Sequence, residues 1–339
     1  MTTYLSTKAI FEHFEANRRI YVSSRCPDLK KIDKLAPLHL DSLEFRDWNV
    51  LLNGFSYELG ATGDEIKIIF NGSQTRVLPK NVTFERARDK IMFHLIGRVE
   101  VIRVKNFSFN LKKQRSLHLP RSLRIHVNSM NSGPIPMSKL LPRITDSCLP
   151  LGELKLSVGQ TPLPAQLSKL TDKLVILYQN NNLESLLEIW GMLAEQKVKM
   201  VELDSMHLTN DELVELARIW EADGGREIGT SVTMLMSDCW IRRRMVFSDL
   251  KRRLNGTDVM MANWKYWSFK NCSKHMTVPF NKSSELVVTE YRDSSTRNWK
   301  LKMEVMPVGS TCPFTCFGYL VSLICYFISF IVMFVRGLF

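Results

Sequence analysis

The side chains whose types and spacing suggest a chemical role are basic ones, and they form two tracts. The first tract begins at Lys112 and continues to Arg124. The second consists of Arg242, Arg243, Arg244, Lys251, Arg252 and Arg253. Clustered cations of this kind contact anionic partners such as an acidic lipid surface or RNA. The alternative is a solvated helix face, which charge runs also form.

Residues for catalysis or metal binding do not form recognisable motifs. The chain lacks the phosphate-binding glycine loops, the H-E-x-x-H zinc motif and the G-x-S-x-G nucleophile motif. No two of its seven histidines lie close enough in sequence to chelate a metal together, and Cys272 with His275 has no matching second pair. We therefore expect a protein that is not an enzyme, with no catalytic residue, metal site or cofactor.

Composition narrows the class of partner. The net charge of +12 favours contact with acidic lipid, acidic protein or nucleic acid. The aromatic stacking motifs that bind single-stranded RNA do not occur, which argues against a nucleic-acid partner. Seven cysteines without a C-x-x-C pair, and an N-terminus without a signal-peptide core, indicate reduced thiols in the cytosol.

The elements that must position these residues are strand–helix units, of which 197–220 is the clearest. Alternating apolar residues at 198–204 predict a half-buried strand. Thr209 and Glu212 have the spacing of a capping box at the start of a helix. One face of that helix is apolar through Leu213, Leu216, Ala217 and Trp220. Such a unit cannot bury its apolar face alone, so it predicts stacking against similar units.

Six strand-like runs recur about 23 to 30 residues apart, which is a period typical of stacked repeats. They lie at 99–104, 123–127, 151–158, 174–178, 198–203 and 228–235, and a further helix is predicted at 183–196. This pattern predicts an α/β fold with an irregular leucine-rich-repeat-like strand–helix stack over 99–254. A plain α/β domain with a parallel sheet is the alternative.

Other segments flank the predicted stack. Residues 1–37 form a short helical segment, and 38–98 contain β-hairpins followed by a helix at 84–96. Asn53-Gly54 is the strongest hairpin signal, because both residues tolerate the positive φ of a type I′ turn. Residues 255–310 form a C-terminal β-hairpin region, with alternation at 286–291 and 299–306.

The last segment, 314–335, contains 22 residues without a charge. A helix of that length spans about 33 Å, which matches a hydrocarbon core of about 30 Å. It predicts one C-terminal transmembrane helix in a tail-anchored, single-pass membrane protein whose bulk lies in the cytosol. The alternatives are a buried element of the last domain or an artefact of the gene model.

Several motifs resemble those of the nematode-expanded F-box-associated family, also called F-box C proteins. The opening motifs are EANRRI at 15–20, SSRCPDL at 23–29 and KLAPL at 34–38. The later ones are ELVELARIW followed by GREIGT, ending at 230, and KLKMEVMPVG at 300–309. The resemblance extends from residue 1 to about 310. It implies a substrate adaptor whose degenerate, F-box-like N-terminal helices hold a Skp1-type adaptor of a cullin-type ubiquitin ligase.

Together these features predict a non-enzymatic, membrane-anchored protein-recognition module. Repeats supply an extended surface for an unknown protein target without needing catalytic groups. The alternatives from other classes are a basic lipid- or nucleic-acid-binding module, and a diverged family member without a defined activity.

Overall fold

A computed structural model describes residues 4–63, 65–111, 119, 123–158, 167–178, 198–204, 210–222, 227–236, 240–261 and 274–313. The chain divides into two compact units, Met1–Asn181 and Asn182–Phe339. Both units combine helices with a β-sheet. The mixed α/β class predicted from the sequence is therefore observed.

Three short helices open the first unit: α1 (Tyr4–His13), α2 (Ala16–Arg25) and α3 (Pro27–Leu35). The Glu15 side chain accepts a hydrogen bond from the Arg18 backbone N–H at 2.9 Å and so caps α2. Pro27 occupies the first position of α3, where its missing N–H costs no helical hydrogen bond. The three helices thus begin and end at local signals in the sequence.

The described part of the first unit contains nine strands. They are β1 (Leu38–Arg46), β2 (Asn49–Leu52), β3 (Phe55–Thr62), β4 (Glu65–Phe70), β5 (Gln74–Val77), β6 (Val101–Asn110), β7 (Arg124–Asn131), β8 (Glu153–Val158) and β9 (Lys173–Tyr178). β1 to β5 form an antiparallel meander. β6 pairs with β1 in parallel, and β7, β8 and β9 add in parallel in chain order.

Turn chemistry explains the meander. Asn53 and Gly54 have φ values of 51° and 79°, and Asn71 and Gly72 have 50° and 72°. Asparagine and glycine adopt this left-handed region at low cost, so the two hairpins close where the sequence predicts them.

A crossover then carries the chain from β5 to β6. It contains α4 (Phe84–Met92), capped by Thr83 and followed by a π-helical turn (Phe93–Gly97). The later crossovers contain only short pieces: α5 (Met137–Leu140), two 3₁₀ turns (Leu141–Arg143 and Asp146–Cys148) and α6 (Leu167–Leu170). After β7 the backbone passes so close to Phe109 that a Cβ on Gly133 would lie 2.1 Å from its carbonyl oxygen.

The parallel strands share a core pattern in which a buried residue is followed three and five residues later by two more. The pattern is filled by Leu40, Leu43 and Phe45 in β1, by Val104, Phe107 and Phe109 in β6, and by Leu151, Leu154 and Leu156 at β8. Equivalent central positions are Met130 in β7 and Leu174 in β9, by strand register. From β6 onward they recur about every 20 to 24 residues, a spacing seen in strand repeats.

In the described residues, the second unit contains seven strands and two helices. Its elements are β10 (Met200–Asp204), α7 (Asn210–Ala222), β11 (Ser231–Leu235), α8 (Trp240–Arg253), β12 (Thr257–Met261), β13 (Lys274–Pro279), β14 (Ser284–Arg292), β15 (Trp299–Pro307) and β16 (Thr311–Pro313). β10 and β11 pair in parallel. The remaining order, β11-β15-β14-β13-β12-β16, is antiparallel throughout.

One part of the predicted fold class needs correction. In the part of the chain described above, no helix is long and apolar enough to cross a membrane. The longest described helix, α8, has 14 residues and spans about 21 Å, short of a hydrocarbon core of about 30 Å. This finding contradicts the predicted tail-anchored, single-pass membrane protein. The stretch 314–335, for which the membrane helix was predicted, lies outside the described residues. The predicted helix at 183–196 and the predicted cap at Thr209 also lie outside them.

Candidate protein-recognition surface

A row of polar side chains crosses the outer face of the parallel strands in the first unit. His39 in β1 is in register with Arg103 in β6, which is in register with His126 in β7. Neighbouring strands lie about 4.8 Å apart, so the three side chains form a continuous row on one face. His39 and Arg103 are exposed and His126 is partly exposed.

A second polar row lies two residues further along each strand, at Asp41, Lys105 and Asn128, all of which are exposed. In each of the three strands, the residue that directly follows this second row is not buried either. The strict alternation of inward and outward side chains is therefore interrupted at the same position in all three strands. In β1 the interruption is held by Asn53, whose Oδ1 accepts hydrogen bonds from the N–H groups of Asp41 at 2.8 Å and Ser42 at 3.1 Å. The three strands keep the same register on both sides of this interruption, so the polar rows stay aligned across them.

These rows form one wall of an open groove of about 770 Å³, which we call the polar groove. Its other wall is the end of α1 and the start of α2. The lining residues are Glu12, His13, Phe14, Glu15, Ala16, His39, Leu40, Asp41, Asn53, Arg103, Val104, Lys105, His126, Val127, Asn128 and Cys148. The groove therefore lies between the N-terminal helices and the parallel strands.

The electrostatics of the polar groove are mixed. Partial desolvation and the nearby Arg103 guanidinium lower the pKa of His39, which favours the neutral imidazole. Burial would raise the pKa of Glu15, but hydrogen bonds from Asn17 and Arg18 outweigh it and lower that pKa. The groove thus offers cations, anions and neutral hydrogen-bonding groups side by side. Within the described ranges no cluster of three or more His, Cys, Asp or Glu side chains could hold a metal.

The basic residues of the second tract lie on α8, and three of them contact carboxylates. Lys251 pairs with Asp258, and Arg252 with Asp249 at 2.6 Å. Arg253 pairs with Asp211 of α7 and lies 3.7 Å from Asp249.

The other basic residues are described less fully. The side chains of Arg242, Arg243 and Arg244 lie outside the described part of the chain, as do residues 112–118 of the first tract. Arg124, at the end of that tract, donates a hydrogen bond from Nη1 to the Pro142 carbonyl at 2.9 Å. The predicted anionic contacts therefore stay a prediction, and the described members are already partly neutralised by acidic neighbours.

Sequence reasoning missed the polar groove. The sequence did contain a sign of this groove. In β1, β6 and β7, polar residues occupy the same positions between the buried residues of the shared core pattern. The pairing of β1 with β6 was the missing step. Without it, His39 and Arg103 appear to belong to separate segments.

Comparison with known proteins gives one finding. A family described as a domain of unknown function (DUF3557) matches residues 84–238, which include α4 and β6 to β11. No curated protein and no solved structure matches the chain. The match covers less than half of the chain and assigns no activity, so the resemblance to F-box-associated proteins stays a prediction.

Proposed function

We propose that this protein is a non-enzymatic protein-recognition module that selects a protein target through the polar groove. The observation that carries the proposal is the in-register row of His39, Arg103 and His126 on an outer sheet face beside α1 and α2. Side chains on successive parallel strands make a rigid and extended array, and such arrays bind polypeptides without needing catalytic groups. The basic lipid- or nucleic-acid-binding alternative has less support, because Lys251 and Arg253 are paired with carboxylates.

The same proposal includes a role as substrate adaptor of a cullin-type ubiquitin ligase. The N-terminal helices expose several large apolar side chains, namely Ile10 (47% exposed), Phe14 (39%), Tyr21 (55%) and Leu35 (58%). Exposed apolar residues concentrated on one small helical segment are typical of an association surface. A Skp1-type adaptor is the partner that the family resemblance implies for these helices.

Target selection can be tested by proximity labelling with the full chain in cells. The Arg103→Glu, Lys105→Glu double variant reverses two charges in the groove and should lose at least tenfold labelling of the main target. Lys67→Glu, on β4 outside the groove, is the matched control and should keep it. Equal labelling by both variants would contradict target selection by the groove.

The adaptor role is tested separately by binding of the full chain to a purified Skp1-type protein. Ile10→Asp and Leu35→Asp place a charge within the apolar surface and should abolish binding. Val77→Asp changes an equally exposed residue (52%) on β5 and should leave it intact. If the unmodified chain does not bind the adaptor, the ligase role is wrong while target recognition stands.

A further inference from the structure

A second cavity lies at the other end of β1 from the polar groove. It has a volume of about 60 Å³ and lies between the β1–β2 turn, β3 and α4. A water-sized sphere occupies about 10 to 15 Å³, so the cavity has room for about four to six non-hydrogen atoms. A leucine or isoleucine side chain, with its four carbons, is of this size.

The inner lining of this cavity is apolar. Phe45, Tyr57 and Leu59 are buried side chains of β1 and β3 that contribute to it. Burial raises the pKa of Tyr57 to about 12, and its hydroxyl donates a hydrogen bond to Asn17 Oδ1 at 2.8 Å. The phenol is therefore neutral at physiological pH and its hydroxyl already has an acceptor. The cavity suits an aliphatic group rather than a polar one.

The edge of the cavity carries an exposed tryptophan. Trp48 packs edge-to-face on Phe84 of α4, with ring centroids 5.0 Å apart, yet it is 47% exposed. Another ring thus holds this tryptophan in place while about half of its surface is exposed. Tryptophans of this kind often anchor protein interfaces. Contact with a partner would bury this surface.

One arginine at the same edge is placed to contact an acidic partner group. The cavity is lined there by Arg46, Asp47 and Arg88. The Arg46 guanidinium already donates two hydrogen bonds to the Glu44 carboxylate, at 2.7 and 3.2 Å. Arg88 lies 3.8 Å from the carboxylate of Asp89, the next residue along α4, a separation at which an exposed pair gains little. A cation next to Arg88 would be repelled by its guanidinium, so a methylated lysine or another ammonium group is disfavoured.

We propose that the cavity binds one branched aliphatic side chain of a partner protein, and that Arg88 contacts an acidic residue next to it in that partner. This inference deepens the proposed function, on which it rests, by naming the chemistry of a partner segment. It concerns a different site from the polar groove: the groove borders residues 39–41 of β1, whereas the cavity borders residues 45 and 46.

The test uses three capped tetrapeptides, Gly-Leu-Glu-Gly, Gly-Ala-Glu-Gly and Gly-Leu-Lys-Gly, titrated into the full chain by ligand-observed NMR. The leucine–glutamate peptide should bind at least tenfold more tightly than each of the other two. Isovalerate, a free aliphatic carboxylate, is the fourth probe. Isovalerate binding as tight as that of the leucine–glutamate peptide, or equal binding of all three peptides, would overturn the proposal.

Variants of α4 provide the specificity control. Arg88→Glu should invert the preference, so that the lysine peptide binds more tightly than the glutamate peptide. Arg86→Glu changes an exposed arginine on the same helix that does not line the cavity, and it should keep the original preference. Ile91→Trp fills the cavity and should abolish binding of every peptide. An unchanged preference in Arg88→Glu would overturn the proposal even if Ile91→Trp fails to fold.

The outcomes also separate this inference from the function on which it rests. The groove variant Arg103→Glu, Lys105→Glu should bind the tetrapeptides as the unmodified chain does. If the tetrapeptides fail to discriminate while the groove variant loses its cellular target, the cavity assignment is wrong and target recognition by the groove stands.

Discussion

Arg19 and Asp33 form a buried ion pair, in which Arg19 Nε donates to Asp33 Oδ1 at 2.5 Å and both side chains are almost completely buried. The other carboxylate oxygen of Asp33 accepts a hydrogen bond from Arg98 Nη1. The remaining Arg19 nitrogens donate to the carbonyls of Asp33, Ala36 and Pro37. One carboxylate thus joins α2, α3 and the segment just before β6. These contacts attach the N-terminal helices, and with them one wall of the polar groove, to the strands.

The first prediction concerns this carboxylate. Asp33→Asn leaves two buried guanidinium groups without their counter-charge, and breaking such a buried pair costs about 3 to 5 kcal/mol. We expect a loss of that size in the free energy of unfolding, measured by denaturant titration. Asp28→Asn, an exposed position on the same helix, should change it by less than about 0.5 kcal/mol. Similar losses in both variants would contradict the role assigned to Asp33.

The second prediction concerns the backbone of β1 at Asp41 and Ser42. Asn53 and Asn71 occupy equivalent left-handed turn positions, with φ of 51° and 50°, but Asn53 Oδ1 also accepts two backbone hydrogen bonds from β1. Asn71→Ala should cost about 1 kcal/mol for the turn conformation alone. Asn53→Ala should cost about 2 kcal/mol, because the N–H groups of Asp41 and Ser42 also lose their acceptor. Equal costs in denaturant titration would show that these hydrogen bonds do not stabilise this part of β1.

Local features of the fold could be predicted from the sequence because short-range chemistry determines them. The hairpin at Asn53-Gly54 depends on two residues that accept positive φ, and the helix from Phe84 depends on a cap at Thr83. The pairing of β1 with β6 could not be predicted in this way. In the sequence, His39 and Arg103 are separated by a whole meander and a helix. The alternation of apolar and polar residues in their strands is equally compatible with an antiparallel hairpin and with a parallel neighbour.

The same limit applies to charge. The sequence identified the basic face of α8, but it could not identify Asp211 of α7 as the partner of Arg253, since that contact depends on how the two helices pack. Composition alone also favoured a membrane span at 314–335, and the described helices include none of that kind. A run of apolar residues indicates a segment that avoids water. It does not by itself determine whether lipid or protein surrounds that segment.

The third prediction concerns Lys300 in the second unit. Its ammonium group lies 2.7 Å from Glu202 and 2.8 Å from Asp293, and all three side chains are largely buried. Burial would lower the pKa of Lys300, but the hydrogen bonds to both carboxylates outweigh it and raise that pKa. Hydrogen bonds from Lys300 and Ser295 hold the pKa of Asp293 well below its usual range.

Lys300→Met should therefore cost about 2 kcal/mol in the free energy of unfolding, because two carboxylates lose their main partner. Lys302→Met is the matched control. Lys302 lies on the same strand and pairs at 2.7 Å with Glu304, with both side chains more exposed, so its loss should cost less than about 1 kcal/mol. A reversed order of the two costs in denaturant titration would contradict the assignment of Lys300 as the central cation of this cluster.

The fourth prediction concerns pH. Burial lowers the pKa of His275 in β13, whose Nδ1 lies 3.1 Å from Thr289 Oγ1 of the paired strand β14. At pH values between this lowered pKa and the ordinary value of about 6.5, His275 binds a proton more readily in the unfolded chain than in the folded one. Stability is therefore complete above pH 6.5 and falls as the pH drops below it, by up to about 1.4 kcal/mol per pH unit for one proton.

Denaturant titrations of the full chain at pH 7, 6 and 5 check this sign. His275→Gln removes the titrating ring and should reduce the fall in unfolding free energy between pH 7 and 5. It should not abolish the fall, because burial lowers the pKa of His94 and partial desolvation lowers that of His39 as well. Lys274→Gln, at the exposed neighbouring position, should leave the pH dependence unchanged, since lysine does not titrate in this range. A steeper fall in His275→Gln would mean that the folded protein prefers the charged imidazole, opposite to the effect of its burial.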